Sequence, residues 1–374
     1  MKRVASIAEC FASAAQCRLT WSGAALLATI AIFTSMDAIA QSATTKPPRT
    51  LDETGLYADF ATLQIDPKHL AFSPQYPLWS DGAAKRRWVS LPPGTAIDGS
   101  DPDAWIFPTG TRFWKEFSFN GQRVETRYME RLPEGRWLYA VYAWGPDGRE
   151  AQLVSEKGRR GAYALGGGRS HTIPSVNDCK ACHQGGRAEV LGFSALQLSP
   201  ERDPAALHAE PLSAAGVDLR YLVDKKLLVG FPEALQETPP RIAAASATER
   251  VALGYMHGNC GHCHNEHGSL RNIALFLRHV LGVGVQPALT STMSQPVKKP
   301  APGQSPDAVL RVEPRHPDRS ALMQRVSSRY PALQMPPLGT ELVDQEAVLL
   351  IQRWIAEADE LRREAPQDEK GRWP

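Results

Sequence analysis

Apolar and polar positions alternate along residues 111–119, 122–130 and 137–144, and Gly145-Pro146-Asp147-Gly148 closes the last run before 149–154. Period-two alternation bounded by turn residues predicts antiparallel strands. In the first run Phe113, Lys115, Phe117 and Phe119 share one face, while Trp114, Glu116 and Ser118 share the other. A lysine among aromatics either snorkels or pairs with a carboxylate, for example Glu125 across a hairpin.

The pattern changes later in the chain. Val251, Leu253, Tyr255 and Met256, with Ser246 or Thr248 as a cap, predict a helix over 248–256. A stronger amphipathic helix is predicted over 343–361, where Val348, Leu349, Ile351, Ile355 and Leu361 interleave with Glu346, Gln352, Arg353 and Glu357. Residues 282–306, rich in Pro, Ser and Thr, read as a surface loop. At the start, Lys2, Arg3 and Arg18 precede an apolar run at 21–36 and then Ala38-Ile39-Ala40. This is the layout of a cleaved secretory signal, with the mature chain beginning near Gln41, and it fits better than a membrane anchor. No other stretch reads as membrane-spanning, and the expected location is the periplasm.

The 374 residues, 43% of them hydrophobic, suit two globular domains. A formal charge of +2 argues against the dense positive field that nucleic acid calls for. Signal cleavage removes Cys10 and Cys17, leaving Cys179, Cys182, Cys260 and Cys263. All four lie in two pentapeptides, Cys179-Lys180-Ala181-Cys182-His183 and Cys260-Gly261-His262-Cys263-His264.

In Cys-x-x-Cys-His the two thiols add to the vinyl groups of one haem, and the adjacent histidine becomes the proximal iron ligand. Two covalently bound haem c groups are therefore expected, anchored by Cys179, Cys182, Cys260 and Cys263, with His183 and His264 on the irons. Paired zinc knuckles are the competing reading, but their usual separation is about 15 to 20 residues. Here residues 183–259 separate Cys182 from Cys260. A thioredoxin-type redox pair would need a βαβ unit, and neither motif has one nearby.

Met335-Pro336-Pro337 offers a thioether in a stiffened loop, a suitable second axial ligand for the haem at His264. Met323 and Met293 are the alternatives. For the first haem the sixth position is open in the sequence, with His171 the nearest candidate and His69, His208, Met129 and Met256 the others. Trp79, Trp88, Trp105, Trp114, Trp137 and Trp144 are assigned to core packing.

The helix before Cys260, the Met335-Pro336-Pro337 loop and the closing helix with Trp354-Ile355 resemble, in order and spacing, a class I cytochrome c domain over about residues 241–363. The 282–306 insert departs from it. Residues 107–115, Phe107 to Lys115, followed at a distance by the first motif, resemble the β-sheet cytochromes of the c-prime-beta and lysine-crosslinked hydroxylamine-oxidising groups. That resemblance implies a haem with an open distal side that binds a small molecule, and, in crosslinked members, a bond from a lysine matching Lys115 to the haem. The chain as a whole is similar to an uncharacterised family of exported bacterial di-haem proteins.

The expected class is α+β, an N-terminal antiparallel β-rich haem domain followed by an all-α class I cytochrome c domain. The expected plan is a signal at 1–40, a linker at 41–55, the β-rich domain at 56–195, a helical connector at 196–240, the cytochrome domain at 241–363 and a mobile tail at 364–374. The leading functional expectation is electron transfer between periplasmic redox proteins acting as donor and acceptor. The alternative is a haem oxidoreductase acting on a nitrogen oxide, hydroxylamine or peroxide at an open first haem, with the second as relay; no catalytic residue is assigned. A zinc-binding interaction protein is the third.

Overall fold

A computed structural model describes residues 46–211, 216–300, 305 and 309–359. The expected signal at 1–40, the first part of the linker, Cys10, Cys17 and the tail at 364–374 lie outside the described residues. Chain order brings β1 (Tyr57–Asp59), β2 (Gln64–Ile65), β3 (Leu70–Ala71), β4 (Ala84–Ser90), β5 (Ile97–Asp98), β6 (Arg112–Phe119), β7 (Gln122–Arg131), β8 (Trp137–Trp144) and β9 (Ala151–Leu153). Six of these form one antiparallel sheet in the order β3-β4-β6-β7-β8-β9. The stretch read as the end of a linker is attached to it: Leu51 is fully buried and its N–H donates to the Ala151 carbonyl at 3.0 Å.

The register corrects the pairing expected for Lys115. It stands opposite Arg127 on β7 and Arg87 on β4, whereas Glu125 stands opposite Phe117. The Glu125 carboxylate accepts hydrogen bonds from Arg127 at 2.7 Å and His171 at 3.0 Å. It is consumed by two nearer donors, and among the described residues no carboxylate forms an ion pair with the Lys115 ammonium, which lies 5.0 Å from the centre of the Phe117 ring.

Strand β4 escapes a hydrophobicity pattern because Lys85-Arg86-Arg87 masks it. Its charges are answered across the fold, Arg86 by Glu116 at 2.7 Å and the buried Arg87 by Glu210. A hairpin of β10 (Arg159–Gly166) and β11 (Arg169–Ile173) was likewise masked by arginine and glycine. It leads directly into α1 (Val176–His183), which carries the first motif.

Residues 196–240 hold α2 (Leu219–Asp224), β12 (Leu228–Val229) and α3 (Glu233–Glu237), with β12 pairing parallel to β5. Leu198, Leu222, Leu228 and Phe231 enter one apolar cluster with Phe113, Trp137 and Phe193. The connector is thus part of the core behind the sheet, where burial is worth roughly 1.5 to 3 kcal/mol per large apolar side chain.

The remaining helices are α4 (Ala247–Asn259), α5 (Pro287–Thr292), α6 (Ala321–Val326) and α7 (Gln345–Glu357). Ser246 caps α4, its hydroxyl accepting from Glu249 N at 3.1 Å. Asp344 caps α7 through Ala347 N at 3.2 Å, and Ala358 leaves the helical region, so this helix is shorter than 343–361. Ala252, Leu253 and Met256 of α4 pack with Ile351, Trp354 and Ile355 of α7.

The insert is not simply a surface loop. Within it α5 buries Ala288, Ser291 and Thr292, and the Ser291 hydroxyl bonds both the N–H and the carbonyl of Phe276. Side-chain hydroxyls of Ser and Thr are what let this polar stretch enter the interior with its hydrogen bonds made. The described residues are therefore α+β, an antiparallel β-rich part followed by helices.

The described residues form one compact unit. Trp79 N donates to Asn259 Oδ1 at 2.7 Å, joining the segment before β4 to the end of α4. Asp81 Oδ1 accepts from Glu341 N and Leu342 N at 2.8 and 2.9 Å. Among the described residues no helix is long and apolar enough to cross a membrane.

Candidate functional site

The first motif is held by a reciprocal cap. Ser175 Oγ accepts from Asp178 N at 3.1 Å, and Asp178 Oδ2 accepts from Ser175 N at 2.9 Å, which fixes the start of α1 just before Cys179. At its end, His183 Nδ1 lies 2.7 Å from the Glu189 carbonyl. A carbonyl only accepts, so Nδ1 carries the proton and Nε2 keeps its lone pair. Burial holds this ring down to about pH 4 in its titration, so it is neutral at pH 7.

The second motif caps α4. Cys260 N–H donates to Met256 O at 2.9 Å, and His264 N–H to Cys260 O at 2.9 Å. His264 is buried, its carbonyl accepts from Leu277 N at 2.8 Å, and burial with His262, Arg311 and Arg325 nearby lowers its pKa to about 4. Its Nδ1 is buried without a hydrogen-bond partner among the described residues.

All four cysteines are free and half-buried. Burial pushes the Cys179 thiol up to about 11 and the Cys260 thiol up to about 12, so both are neutral, apolar-facing thiols.

The two motifs meet. The Cys182 and Cys263 sulfurs and a His262 ring nitrogen all lie within 4.8 Å of one another. Asn265, next after the second motif, donates from Nδ2 to the Gly185 carbonyl at 2.7 Å, and its Oδ1 accepts from His267 N and Gly268 N at 3.0 and 2.8 Å. Neither His262 nor Asn265 stands out in the sequence beyond adjacency to the motif.

A cavity of about 810 Å³ opens beside the first motif. Cys179, Cys182 and His183 line it together with Lys115, Arg127 and Tyr139. Tyr139 lies 5.4 Å from His183, ring centre to ring centre, and its hydroxyl is buried without a partner among the described residues. Burial and then Arg87, Lys85 and Arg127 push the Lys115 ammonium well below its ordinary range. A volume of this size suits a cofactor-sized molecule. Cys260, Cys263, His264 and Met335 are not among its lining residues.

The candidates for a sixth ligand separate clearly. His171 is buried between Glu125, at 3.0 Å from Nε2, and Asp81, at 3.7 Å from Nδ1. His69 Nε2 meets the Gly55 carbonyl at 2.7 Å, and His208 Nε2 meets Asp344 at 2.9 Å. Met256 is in the α4–α7 core. Met129 alone of these five lines the cavity. Met335 is half-buried, with its N–H on the Arg325 carbonyl at 3.0 Å, while Met293 and Met323 pack on the apolar cluster that Cys260 joins.

The six tryptophans assigned to packing are buried, and Trp79 and Trp114 also line the cavity. Trp114, Trp137 and Trp144 spend their indole N–H groups on Thr54, Glu189 and Thr126.

The Glu125–His171 pair gives a pH prediction. Burial opposes both charges, yet Asp81 and Glu125 raise His171 above its ordinary 6.5, and Arg127 with His171 holds Glu125 below its ordinary 4.5. The histidine contribution is complete below about 6.5 and lost as pH rises through the raised value. The glutamate contribution is complete above about 4.5 and lost as pH falls through the lowered value. Urea midpoints are expected to be highest between these limits, and His171→Gln to flatten the loss that sets in above about 6.5; an unchanged profile in that variant removes His171 as its source.

Comparison with protein-family models, characterised proteins and solved structures gives no match.

Proposed function

We propose that this chain is an exported di-haem c-type cytochrome that passes electrons between redox partners in the periplasm. The observation that carries the reading is His183: a half-buried neutral imidazole, with Nδ1 committed to a backbone carbonyl and Nε2 left as a donor atom, beside two free thiols and a cavity of cofactor size. Cys179 and Cys182 would hold one haem with His183 as ligand; Cys260, Cys263 and His264 would hold the other. When bound, haem supplies a one-electron iron couple. The protein's part is to attach it, to keep both imidazoles neutral and to shield the site from water.

Met335 would be the residue that, with His264, holds the second haem. Its loop is pinned on both sides, by Arg325 at Met335 itself and by Asp81 and Arg329 at residues 341–342. The class I cytochrome likeness of residues 241–363 belongs to the same proposal.

A second reading rests on Lys115 and Tyr139, two polar groups that line the cavity beside His183, among the described residues without a carboxylate for the ammonium of the one or a hydrogen-bond partner for the hydroxyl of the other. They would serve a small ligand at an open first haem, making the chain an oxidoreductase with the second haem as relay.

One set of measurements tests both readings. Protein exported alongside a haem-attachment system is expected to give two haem c per chain in an alkaline pyridine spectrum. Colourless protein carrying zinc ends the cytochrome reading. On the reduced holoprotein, carbon monoxide that alters neither haem spectrum ends the open-site reading and leaves the carrier.

A further inference from the structure

Sequence distance separates the two motifs, but the fold makes them neighbours through backbone as well as sulfur. Gly185 follows the first motif closely, and a Cβ there would stand 2.3 Å from the His262 carbonyl oxygen inside the second. At Gly268 a Cβ would stand 2.4 Å from the Gly185 carbonyl oxygen. Both partners are backbone atoms, so neither contact relaxes by a side-chain rotation. The Cys263 thiol points at the Ala181 carbonyl at 3.9 Å, again across the two motifs.

Asn265 locks this contact. Its amide nitrogen serves the carbonyls of Gly185, Gly261 and His262 at 2.7, 3.0 and 3.1 Å, and its oxygen takes two backbone N–H groups. A buried amide satisfied on both atoms specifies one geometry, because any slip leaves several polar groups unpaired.

The Cys182 and Cys263 sulfurs lie within 4.8 Å of one another. Non-bonded heavy atoms pack at about 3.5 to 4.0 Å, so an intervening layer of protein would need roughly twice that span. The two attachment sulfurs therefore face each other with no side chain between them.

We propose that Gly185, Gly268 and Asn265 form a latch that sets the two haem-attachment segments back to back, so that the haems on Cys182 and Cys263 adjoin at those sulfurs and behave as one coupled redox pair. This rests on the di-haem reading above. Asn265 is a positioning residue, acting on the motifs through their backbone carbonyls. The same geometry offers Cys182, His262 and Cys263 to a single soft metal ion, but thioether formation removes both thiolates, so the two uses exclude each other.

The test is electron paramagnetic resonance on the purified holoprotein, with haem content and zinc measured on the same sample. The fully oxidised wild-type protein is expected to show spin–spin splitting or broadening of its ferric signals, and half-reduction is expected to abolish it. Asn265→Ala and Asn265→Ser, each retaining two haems, are expected to lose most of the splitting. Two haems per chain with magnetically isolated signals in the wild-type protein would overturn the latch and leave the di-haem reading standing. Fewer than two haems, with zinc bound, would overturn the di-haem reading and this inference with it. Wild-type spectra decide the matter even if both variants fail to fold.

Discussion

Glu125→Ala is expected to destabilise the protein by about 3 to 5 kcal/mol, the usual cost of removing one partner from a buried ion pair. The carboxylate is fully buried and is shared by Arg127 and His171. Its loss leaves a guanidinium against the Phe117 ring, 4.2 Å from the ring centre, with no compensating charge at that position. Glu125→Gln keeps the hydrogen-bonding shape and is expected to fall between the two. Denaturant unfolding followed by tryptophan fluorescence measures both, and a cost below about 1 kcal/mol for the alanine variant would mean that the pair contributes only as a surface bridge does.

Met335→Ala is expected to abolish the iron–sulfur charge-transfer band of the oxidised protein and to lower the potential of the second centre, since a thioether favours reduced iron. Haem content should stay at two per chain, because attachment depends on the cysteines. Met293→Ala and Met323→Ala provide the comparison. A band that survives Met335→Ala and vanishes in one of the others moves the ligand to that residue, both having apolar contacts in the cluster that includes Cys260.

The strands β6, β7 and β8 and the helix α4 were legible in the sequence, because turn residues bound the strands and Ser246 caps the helix. Strand β4 was not, since Arg86 and Arg87 find carboxylates, and Lys85 the Ala83 carbonyl, that only the fold supplies. Misreading the 282–306 insert has the same origin: Ser291 looks like a loop residue until Phe276 takes both hydrogen bonds of its hydroxyl. The site divides likewise. Local chemistry marks Cys179, Cys182, His183, Cys260, Cys263 and His264, whereas the contact of Gly185 with Asn265 and His262 depends on packing between distant segments. The pairing of Lys115 with Glu125 failed because face alone does not fix the nearest partner, and register gave Lys115 an arginine on each side.

Asp81 also bears on the order in which the chain matures. Its carboxylate waits for the N–H groups of Glu341 and Leu342, so this contact closes the longest loop described above. Contacts of such sequence separation form late, after their loop entropy has been offset by the rest of the structure. In a chain delivered from its N-terminus, the sheet can assemble while Asp81 still lacks its partners. The Met335 loop is then expected to dock late, and a chain ending before residue 341 would leave Asp81 Oδ1 in the interior without these two donors, with His171 alone beside the carboxylate.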